Sequence, residues 1–303
     1  MAHKEEMNLV EFTERFGTEG KCREYLYLAR WPEGFICPKC GVKNEPFQIT
    51  SRNKYQCKHC THQASVTAGT IMDKTKTPLN KWFLAIYLMS TDKRGCSALR
   101  LKRELGIAYD TAWTMTHKIR NAMKQREGLY LLQGIVEMDD AFFGSPSEGG
   151  KRGRGTDKTP VVIGLSLDEK GRPEYVRAQI IPSVDGDSLL TFAQQTITKG
   201  STIHTDGLPS YNKLRENGYQ LISENFDPTG NPEHLKWLHI LVSNMKAFML
   251  GTYHGVHSKH LQAFFDEFCY RFNRRFWQAQ LFPRTLNACL SSRPFTRKSL
   301  IMT

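Results

Sequence analysis

The spacing of apolar residues changes along the chain and divides it into three regions. From about residue 67 to 132 these residues recur with helical periodicity, and Thr77 followed by Pro78 supplies a helix cap and a first-turn proline. From residue 133 onward, short apolar runs typical of strands are accompanied by helical segments. The strand-like runs are residues 135–138, 160–166, 175–181 and 202–204. The pattern predicts three domains, 1–66, 67–132 and 133–303, of which the last is an α/β domain.

A basic segment separates the first two of these strands. Residues 144–155 are too rich in Gly, Lys and Arg to pack as a regular element, so we predict a flexible basic loop. Two interpretations stay open, a solvated hairpin and an arm that contacts phosphate through Lys151, Arg152 and Arg154.

Two helices in the middle region have the pattern of a helix-turn-helix. The first ends at Gly106, and Asp110 can cap the second, which carries apolar residues on one face. The opposite side of the second helix, predicted to be exposed, would offer to a DNA groove Thr111, Thr114, His117, Lys118 and Arg120. A helical hairpin without any DNA contact has the same apolar spacing, so both interpretations stay open.

Composition supports a polyanionic partner. The chain has 303 residues, 40% of them hydrophobic, which is enough for a substantial core, and a formal net charge of +12. A basic surface gains affinity for nucleic acid because each neutralised phosphate releases counterions. A merely basic soluble enzyme can have the same charge, so the choice between these two interpretations depends on the motifs.

Four of the eight cysteines form two close pairs, Cys37 with Cys40 and Cys57 with Cys60. Two C-x-x-C pairs at this separation predict a tetrahedral zinc site between two short knuckles, although either pair alone would also suit a redox dithiol. We expect the residues between the pairs to form two short strands, 47–49 and 54–56, stapled together by the metal. Four thiolates leave no open position for a reacting water, so this zinc is predicted to be structural.

The same cysteine count indicates a reducing compartment, because eight in a chain of this length are too sparse for a disulfide scaffold. The first six residues lack an apolar signal core, and no apolar run approaches the roughly 20 residues needed to span a bilayer. We therefore expect a cytoplasmic location and no membrane partner.

Carboxylates follow two of the predicted strands. Glu137 and Asp139 are predicted to share one side of the first strand, whereas Asp140 points the other way. Asp206 follows the strand at 202–204. If those strands are neighbours, Asp139 and Asp206 meet at the edge of the sheet and can bind divalent cations. Alternatively, each aspartate simply caps a local turn.

Several ordered motifs resemble one family. They are residues 30–35 ahead of the cysteine pairs, 136–144 with the basic loop, 204–207 with Tyr211, 251–256 with 259–262, and 266–275. Together they resemble the zinc-ribbon insertion-sequence transposases of the DDE superfamily, often called ISXO-like, over nearly the whole chain.

That resemblance implies a ribonuclease-H-like catalytic domain, a mixed sheet with flanking helices, behind a zinc ribbon and a helix-turn-helix segment. It implies two divalent ions, magnesium or manganese, with Asp139 and Asp206 as the first two ligands and Glu137 and Asp140 as neighbours that tune charge or contact a loop. The implied reactions are hydrolysis at transposon ends and attack of a 3′-hydroxyl on target DNA. The implied partners are double-stranded terminal repeats, target DNA and further copies of the chain, acting at the nucleoid of a bacterium.

The third metal ligand departs from the family pattern, because residues 235–252 contain neither Asp nor Glu. Alignment with the family favours His239 as the ligand and Lys246 as a phosphate contact. Helix geometry places these two on one face and Asn244, the second choice for the ligand, about 140° away from His239. A histidine ligand would tilt the metal preference toward manganese. His239 also fits an ordinary helix histidine, and Lys246 a solvated lysine.

Late in the chain, Glu267, Arg271 and Arg274 lie at positions i, i+4 and i+7, so they are predicted to line one helix face, with an ion pair between the first two. The family implies that this face contacts DNA ends, whereas an ion-paired surface helix is the structural alternative.

Two other functions remain open at this point. A DNA-binding regulator without catalysis would use the ribbon and the helix-turn-helix, and a metal-dependent nuclease would cut DNA without joining it.

Overall fold

A computed structural model describes residues 6–144, 158–225, 227, 229–231, 233–253, 256–296 and 299–300. The chain divides into two compact units, Met1–Ala122 with Trp277–Thr303, and Met123–Phe276. Compactness does not define where a domain begins, so the predicted boundaries at 66 and 132 stay predictions. Among the described residues, no helix has the length and apolarity needed to cross a bilayer.

The first unit begins with two capped helices and a small sheet. Asn8 and Thr18 accept hydrogen bonds from the first turns of the two helices, which places the helix starts where polar caps occur. The sheet is antiparallel with Gln48 opposite Tyr55, and the two strands predicted between the cysteine pairs have the predicted bounds. The elements are α1 (Leu9–Phe16), α2 (Glu19–Arg30), β1 (Phe47–Ile49), β2 (Lys54–Gln56) and β3 (Gln63–Ala64).

Four further helices belong wholly or partly to this unit, α3 (Leu79–Thr91), α4 (Ala98–Leu105), α5 (Tyr109–Glu127), whose last residues belong to the second unit, and α10 (Leu281–Ser291). Phe282 of α10 lies among the rings of Phe12, Phe16, Phe83 and Tyr87, so the last helix packs in the aromatic core of the first unit.

Two predicted helix starts need correction. Pro78 precedes α3 as its N-cap residue, and Glu19 caps the helix by accepting the Leu79 N–H. Asp110 lies inside the first turn of α5 because that helix starts two residues earlier than predicted, whereas Gly106 ends α4 in the left-handed conformation as expected.

The second unit is built on a mixed five-stranded sheet in the order β6-β5-β4-β7-β8. β4, β5 and β6 are antiparallel neighbours, and β7 and β8 run parallel to β4. This arrangement, with helices on both faces, is the predicted ribonuclease-H-like fold. The strands are β4 (Ile135–Phe143), β5 (Thr159–Leu167), β6 (Pro173–Ile180), β7 (Thr202–Thr205) and β8 (Gln220–Ser223), and the helices are α6 (Gly186–Thr196), α7 (Asn212–Glu216), α8 (Lys236–Thr252) and α9 (Ser258–Phe272).

Alternation along β4 assigns its two faces. Val136 and Met138 pack in the cluster that contains α6 and α7, whereas Ala141 and Phe143 pack in the cluster that contains α8 and α9. Successive side chains of a strand point to opposite faces, so Glu137 and Asp139 share the α8 side. This confirms that the two residues lie on one face.

The outer edge of β6 is covered by side-chain amides of α9 and the residue that follows it. Asn273 accepts the Val176 N–H at 2.8 Å and donates to the carbonyl of the same residue at 3.1 Å. Gln262 accepts the Ile180 N–H at 2.9 Å and donates to the Ala178 carbonyl at 3.0 Å. These contacts satisfy backbone groups that an edge strand otherwise leaves unpaired.

Candidate active site and zinc site

The parallel pairing of β4 with β7 brings the predicted acidic residues together. Ladder contacts join Ile135 to Thr202 and Glu137 to His204, and continuing that register by two residues places Asp206 opposite Asp139. One carboxylate oxygen from each of Asp139, Asp140 and Asp206 lies within 4.8 Å of the other two. The expectation that the two strands are neighbours is confirmed.

Asp140 belongs to this cluster, although the sequence pattern directed it to the opposite side of the strand. Beyond Glu137, β4 has no further partner in β7, because β7 ends at Thr205. A carboxylate on either face of β4 can therefore extend around this open edge and reach Asp206. The strand also continues to Phe143, so the acids lie within β4 and not at its end.

The spacing of these oxygens fits a divalent cation. Magnesium binds oxygen at about 2.1 Å in octahedral geometry, which separates two ligands of one ion by about 3 Å when adjacent and about 4.2 Å when opposite. The three side chains are only half-buried. Three negative charges at this separation repel one another, and a cation between them removes the repulsion.

His239 lies beside the cluster on the first turn of α8. Its Nε2 atom is 3.7 Å from Oδ2 of Asp139, which is within the range for two ligands of one ion. The interaction with the neighbouring Asp139 carboxylate raises the pKa of His239, against the opposite effect of burial and with further help from the charge of Glu137. The imidazole is 44% exposed, so a bound substrate would have access to it.

Lys246 and Asn244 follow on the same helix, and both are exposed. The Lys246 ammonium lies 5.9 Å from the centre of the Phe143 ring, at the end of β4. The predicted roles of His239, Asn244 and Lys246 stay predictions.

Glu137 is buried and contacts the helix that carries His239. Its Oε2 atom accepts the Leu238 N–H at 2.8 Å, and the residue is 5% exposed. Burial raises the pKa of Glu137, although the Leu238 hydrogen bond and the nearby His239 act in the opposite direction. The sequence analysis expected Glu137 to tune charge or contact a loop and did not predict this helix contact.

His234 is a second residue that sequence reasoning missed. It is 7% exposed, and its Nε2 atom lies 3.0 Å from the carbonyl oxygen of Thr205, the residue before Asp206. Its other ring nitrogen lies 3.9 Å from a carboxylate oxygen of Glu224. No spacing pattern marks a lone histidine before a helix, so the sequence carries no signal for this contact.

The four cysteines of the ribbon converge as predicted. The Sγ atoms of Cys37 and Cys60 are 3.6 Å apart, and those of Cys40 and Cys57 are 3.8 Å apart. Zinc bound at about 2.3 Å to four tetrahedral sulfurs separates those sulfurs by about 3.8 Å, so the cluster fits this ion. The close agreement supports a structural zinc site.

Local donors favour the thiolate form of Cys57. The Asn44 amide donates to Cys57 Sγ at 3.2 Å. Burial acts to raise the pKa of Cys57, but the backbone N–H groups of Cys60 and His59 outweigh it and lower that pKa to about 6. Thiolate is the form that binds zinc.

The predicted DNA-facing side of α5 is partly buried. Arg120 is 2% exposed and His117 is 3% exposed, with its ring 4.3 Å from that of Trp113. The Lys118 ammonium donates to the carbonyl oxygen of Ile71 at 3.0 Å. The expectation of exposure was wrong for His117 and Arg120, because α5 packs on more sides than its single apolar stripe predicts. Thr111, Thr114 and Lys118 are half-buried, and their contact with DNA stays a prediction.

The basic residues at the end of α9 and just after it are also largely buried. Arg274 is 7% exposed and is ion-paired with Glu127. The predicted pair of Glu267 and Arg271 is confirmed at 3.6 Å, but their side chains are 0% and 11% exposed. Paired burial contradicts the expectation of an exposed DNA contact here. The third basic group, Lys151, Arg152 and Arg154, lies outside the described residues.

Comparison with known proteins places the chain among the DDE transposases. Residues 131–273, which contain the acidic cluster and α8, match the ISXO2-like transposase domain. Residues 17–63, which contain all four ribbon cysteines, match the transposase zinc-ribbon domain. The chain belongs to the ISXO2-like transposases that carry this ribbon, as the resemblance predicted.

A curated relative supports this assignment. An uncharacterized protein in transposable element ISH50 of Halobacterium salinarum is 26% identical over 220 residues, which are 66% of this chain and 71% of the relative. Among solved structures, a pre-cleavage Mos1 transpososome and the Mos1 strand transfer complex match at 11% and 12% identity. The matches cover 70% and 71% of this chain and 79% of each Mos1 chain, with TM-scores of 0.27.

Proposed function

We propose that this transposase cuts DNA at the ends of an insertion sequence and joins the cut ends to target DNA, with divalent cations held by Asp139, Asp206 and His239. The observation that carries the proposal is the convergence of three carboxylates and one imidazole where β4, β7 and the start of α8 meet. Oxygen-rich sites of this kind suit magnesium or manganese.

Bound cations would supply a Lewis acid that polarises the scissile phosphate and promotes deprotonation of the attacking hydroxyl or water. The chain's own contribution is to hold the proposed metal ligands in position. Asp139 and Asp206 fix the site on neighbouring strands, and His239 closes it from α8. Water would attack the phosphate at the end of the element, which breaks one P–O bond and leaves a 3′-hydroxyl on one side of the cut and a 5′-phosphate on the other. That 3′-hydroxyl would then attack a target phosphate and displace the 3′-oxygen of the target strand.

His239 is our proposed third ligand and Asn244 the second choice. The 3.7 Å separation from Asp139 supports His239. Imidazole is a softer ligand than a carboxylate, so we expect activity in manganese to exceed activity in magnesium, and the preference to weaken in His239→Asp. Equal activity of the wild type in both metals would count against His239.

DNA contacts are proposed for Lys246, which is exposed on the helix of His239, and for Lys151, Arg152 and Arg154 of the basic loop that follows β4. The buried Arg120, Arg271 and Arg274 are assigned to packing. Pairing two transposon ends requires at least two active sites, so we propose that copies of the chain assemble on DNA. The zinc is proposed to stabilise the ribbon without taking part in the reaction.

The test incubates the purified full chain with DNA that carries the sequence flanking its own gene, in magnesium or manganese. Asp206→Asn removes one proposed ligand while keeping side-chain size. Asp187→Asn is the matched control, because Asp187 is an exposed residue in the first turn of α6. Cut and joined products are expected with the wild type and the control and are expected to be lost with Asp206→Asn.

Two results would contradict the proposal. Binding of the flanking DNA without any cutting by the wild type would favour a regulator. Metal-dependent cutting without joined products would favour a nuclease that lacks strand transfer.

A further inference from the structure

The start of α8 lacks a cap of its own. Leu235 occupies the N-cap position in the left-handed conformation, with φ of 52°, and its side chain cannot accept a hydrogen bond. The first four N–H groups of an α-helix have no partner within the helix, and Leu238 carries one of them. Its acceptor is Glu137, a residue 101 positions earlier in the chain.

This contact lies between two prospective metal ligands. Glu137 precedes Asp139 by two residues on the same face of β4, and Leu238 immediately precedes His239 on α8. One hydrogen bond of 2.8 Å therefore fixes the helix against the strand at the point where the His239 imidazole meets the Asp139 carboxylate.

A carboxylate is a costly group for a purely structural cap. Burying an ionised side chain costs free energy unless donors and positive charge compensate it. Here the Leu238 N–H at the positive end of α8 supplies the donor that Glu137 needs. The carboxylate is thus tied to the turn of the helix that carries the proposed ligand His239.

The preceding segment has an anchor on the other acidic strand. His234 contacts the carbonyl oxygen of Thr205 at 3.0 Å, next to Asp206. The approach to α8 is therefore attached to β7 through His234, and its first turn is attached to β4 through Glu137. Of these two contacts, only the Glu137 contact acts within one residue of His239.

We propose that Glu137 is a positioning residue of the metal site, which holds the first turn of α8 so that the imidazole of His239 lies beside Asp139. The proposal rests on the function proposed above. Groups that orient metal ligands typically contribute about 10-fold to 100-fold to metal affinity. The hydrogen bond to Leu238 carries the role, and the negative charge of Glu137 does not.

Two conservative variants separate these contributions. Glu137→Gln keeps an acceptor oxygen at the same reach but removes the charge. Glu137→Asp keeps the charge but shortens the side chain by one methylene, which withdraws the acceptor from Leu238. Mn²⁺ binding to the zinc-loaded full chain is measured by titration calorimetry, and thermal melting checks that each variant is folded.

We expect Glu137→Gln to stay within about three-fold of the wild-type Mn²⁺ affinity and Glu137→Asp to lose about ten-fold. In a His239→Ala background, Glu137→Asp should change the affinity by less than about two-fold, because the residue acts through His239. Asp187→Asn, the exposed control, should match the wild type.

The opposite order of the two variants, with Gln weaker than Asp, would overturn the proposal and assign Glu137 a charge effect. Equal loss from Glu137→Asp with and without His239 would also overturn it, because Glu137 would then act through the acids or the fold. Asp206→Asn separates a failure of the proposed role of Glu137 from a failure of the proposed metal site. If Mn²⁺ binding survives that substitution, the proposed metal site is wrong, and the role of Glu137 is overturned with it.

Discussion

The zinc ribbon and the acidic site achieve metal-ligand convergence in different ways. All four ribbon ligands come from one short segment, and two similar knuckles bring the sulfurs to 3.6 Å and 3.8 Å separations. The acidic site collects its proposed ligands from β4, from the residue that follows β7 and from α8, which are distant in the chain. The ribbon therefore depends on its metal to hold a small sheet, whereas the acidic site inherits its geometry from a core that folds around it.

The largest expected effect is removal of zinc from the ribbon. Structural zinc contributes roughly 10 kcal/mol or more to the folding of small domains. We expect a strong zinc chelator, or Cys57→Ser, to abolish protection from hydrogen exchange in β1 and β2 and to leave β4 and β5 protected. The control is Cys96→Ala, which changes a buried cysteine outside the ribbon. Persistent protection of β1 and β2 after zinc loss would remove the contrast between the two sites.

Loss of an acidic ligand should have a large effect on activity and a small one on stability. We expect Asp139→Asn to lower DNA cutting by about a thousand-fold, equivalent to about 4 kcal/mol of transition-state stabilisation. Its melting temperature should equal or exceed that of the wild type, because one of three mutually repelling charges has been removed. A cutting assay and calorimetric melting test both statements, and a marked fall in melting temperature would contradict the second.

Asp266 lies in the same unit as the acidic site but has no proposed metal beside it. It therefore tests how much stability the burial of a carboxylate costs without a metal. Burial is the main cause that raises the pKa of Asp266 to about 6, although Gln262, Lys124 and Arg177 act to lower it. The fold therefore favours the neutral carboxyl of Asp266. The free energy of unfolding is highest, as far as this group is concerned, below about pH 4, and it falls as the pH rises through about 6 and the carboxyl ionises.

We expect Asp266→Asn to be more stable than the wild type at pH 8, by at most about 3 kcal/mol, and to show little difference at pH 4. The asparagine can no longer ionise, so it avoids the cost of a buried charge. Unfolding by urea at the two pH values measures the difference. An equal effect at both pH values would show that packing, and not ionisation, is responsible.

The smallest expected effect concerns Asp140 and tests whether this residue acts through its charge or as a metal ligand. Its carboxylate approaches Asp139 and Asp206, but its position on the other face of β4 favours a contribution through charge. We expect Asp140→Asn to weaken Mn²⁺ binding by about ten-fold, less than Asp206→Asn does. Competition titration against a metal-sensitive dye measures both affinities. Equal losses would make Asp140 a ligand in its own right.

The ribbon was readable from the sequence because its determinants are local. Cysteine spacing predicted the four ligands, and the strands at 47–49 and 54–56 appeared with the expected bounds. The mixed sheet was also predicted, and its four recognised strands are present. β8 was missed, because its short, mostly exposed sequence lacks an apolar run.

The acidic site was only partly predictable because its geometry depends on where one strand ladder ends. Asp139 and Asp206 meet as expected, but the position of Asp140 depends on β7 stopping at Thr205. Burial of Arg274 was not visible either, because its partner Glu127 lies 147 positions earlier. Periodicity finds apolar faces and is blind to charges that are buried in pairs.

The amide-covered edge of β6 also limits how copies of the chain can associate. Asn273 and Gln262 use both donor and acceptor groups, so they replace a neighbouring strand along this edge. A second sheet cannot dock there by strand addition without first displacing both amides. Any contact between copies of the chain would therefore use side-chain surfaces or other edges, and the covered edge opposes sheet-to-sheet aggregation at β6.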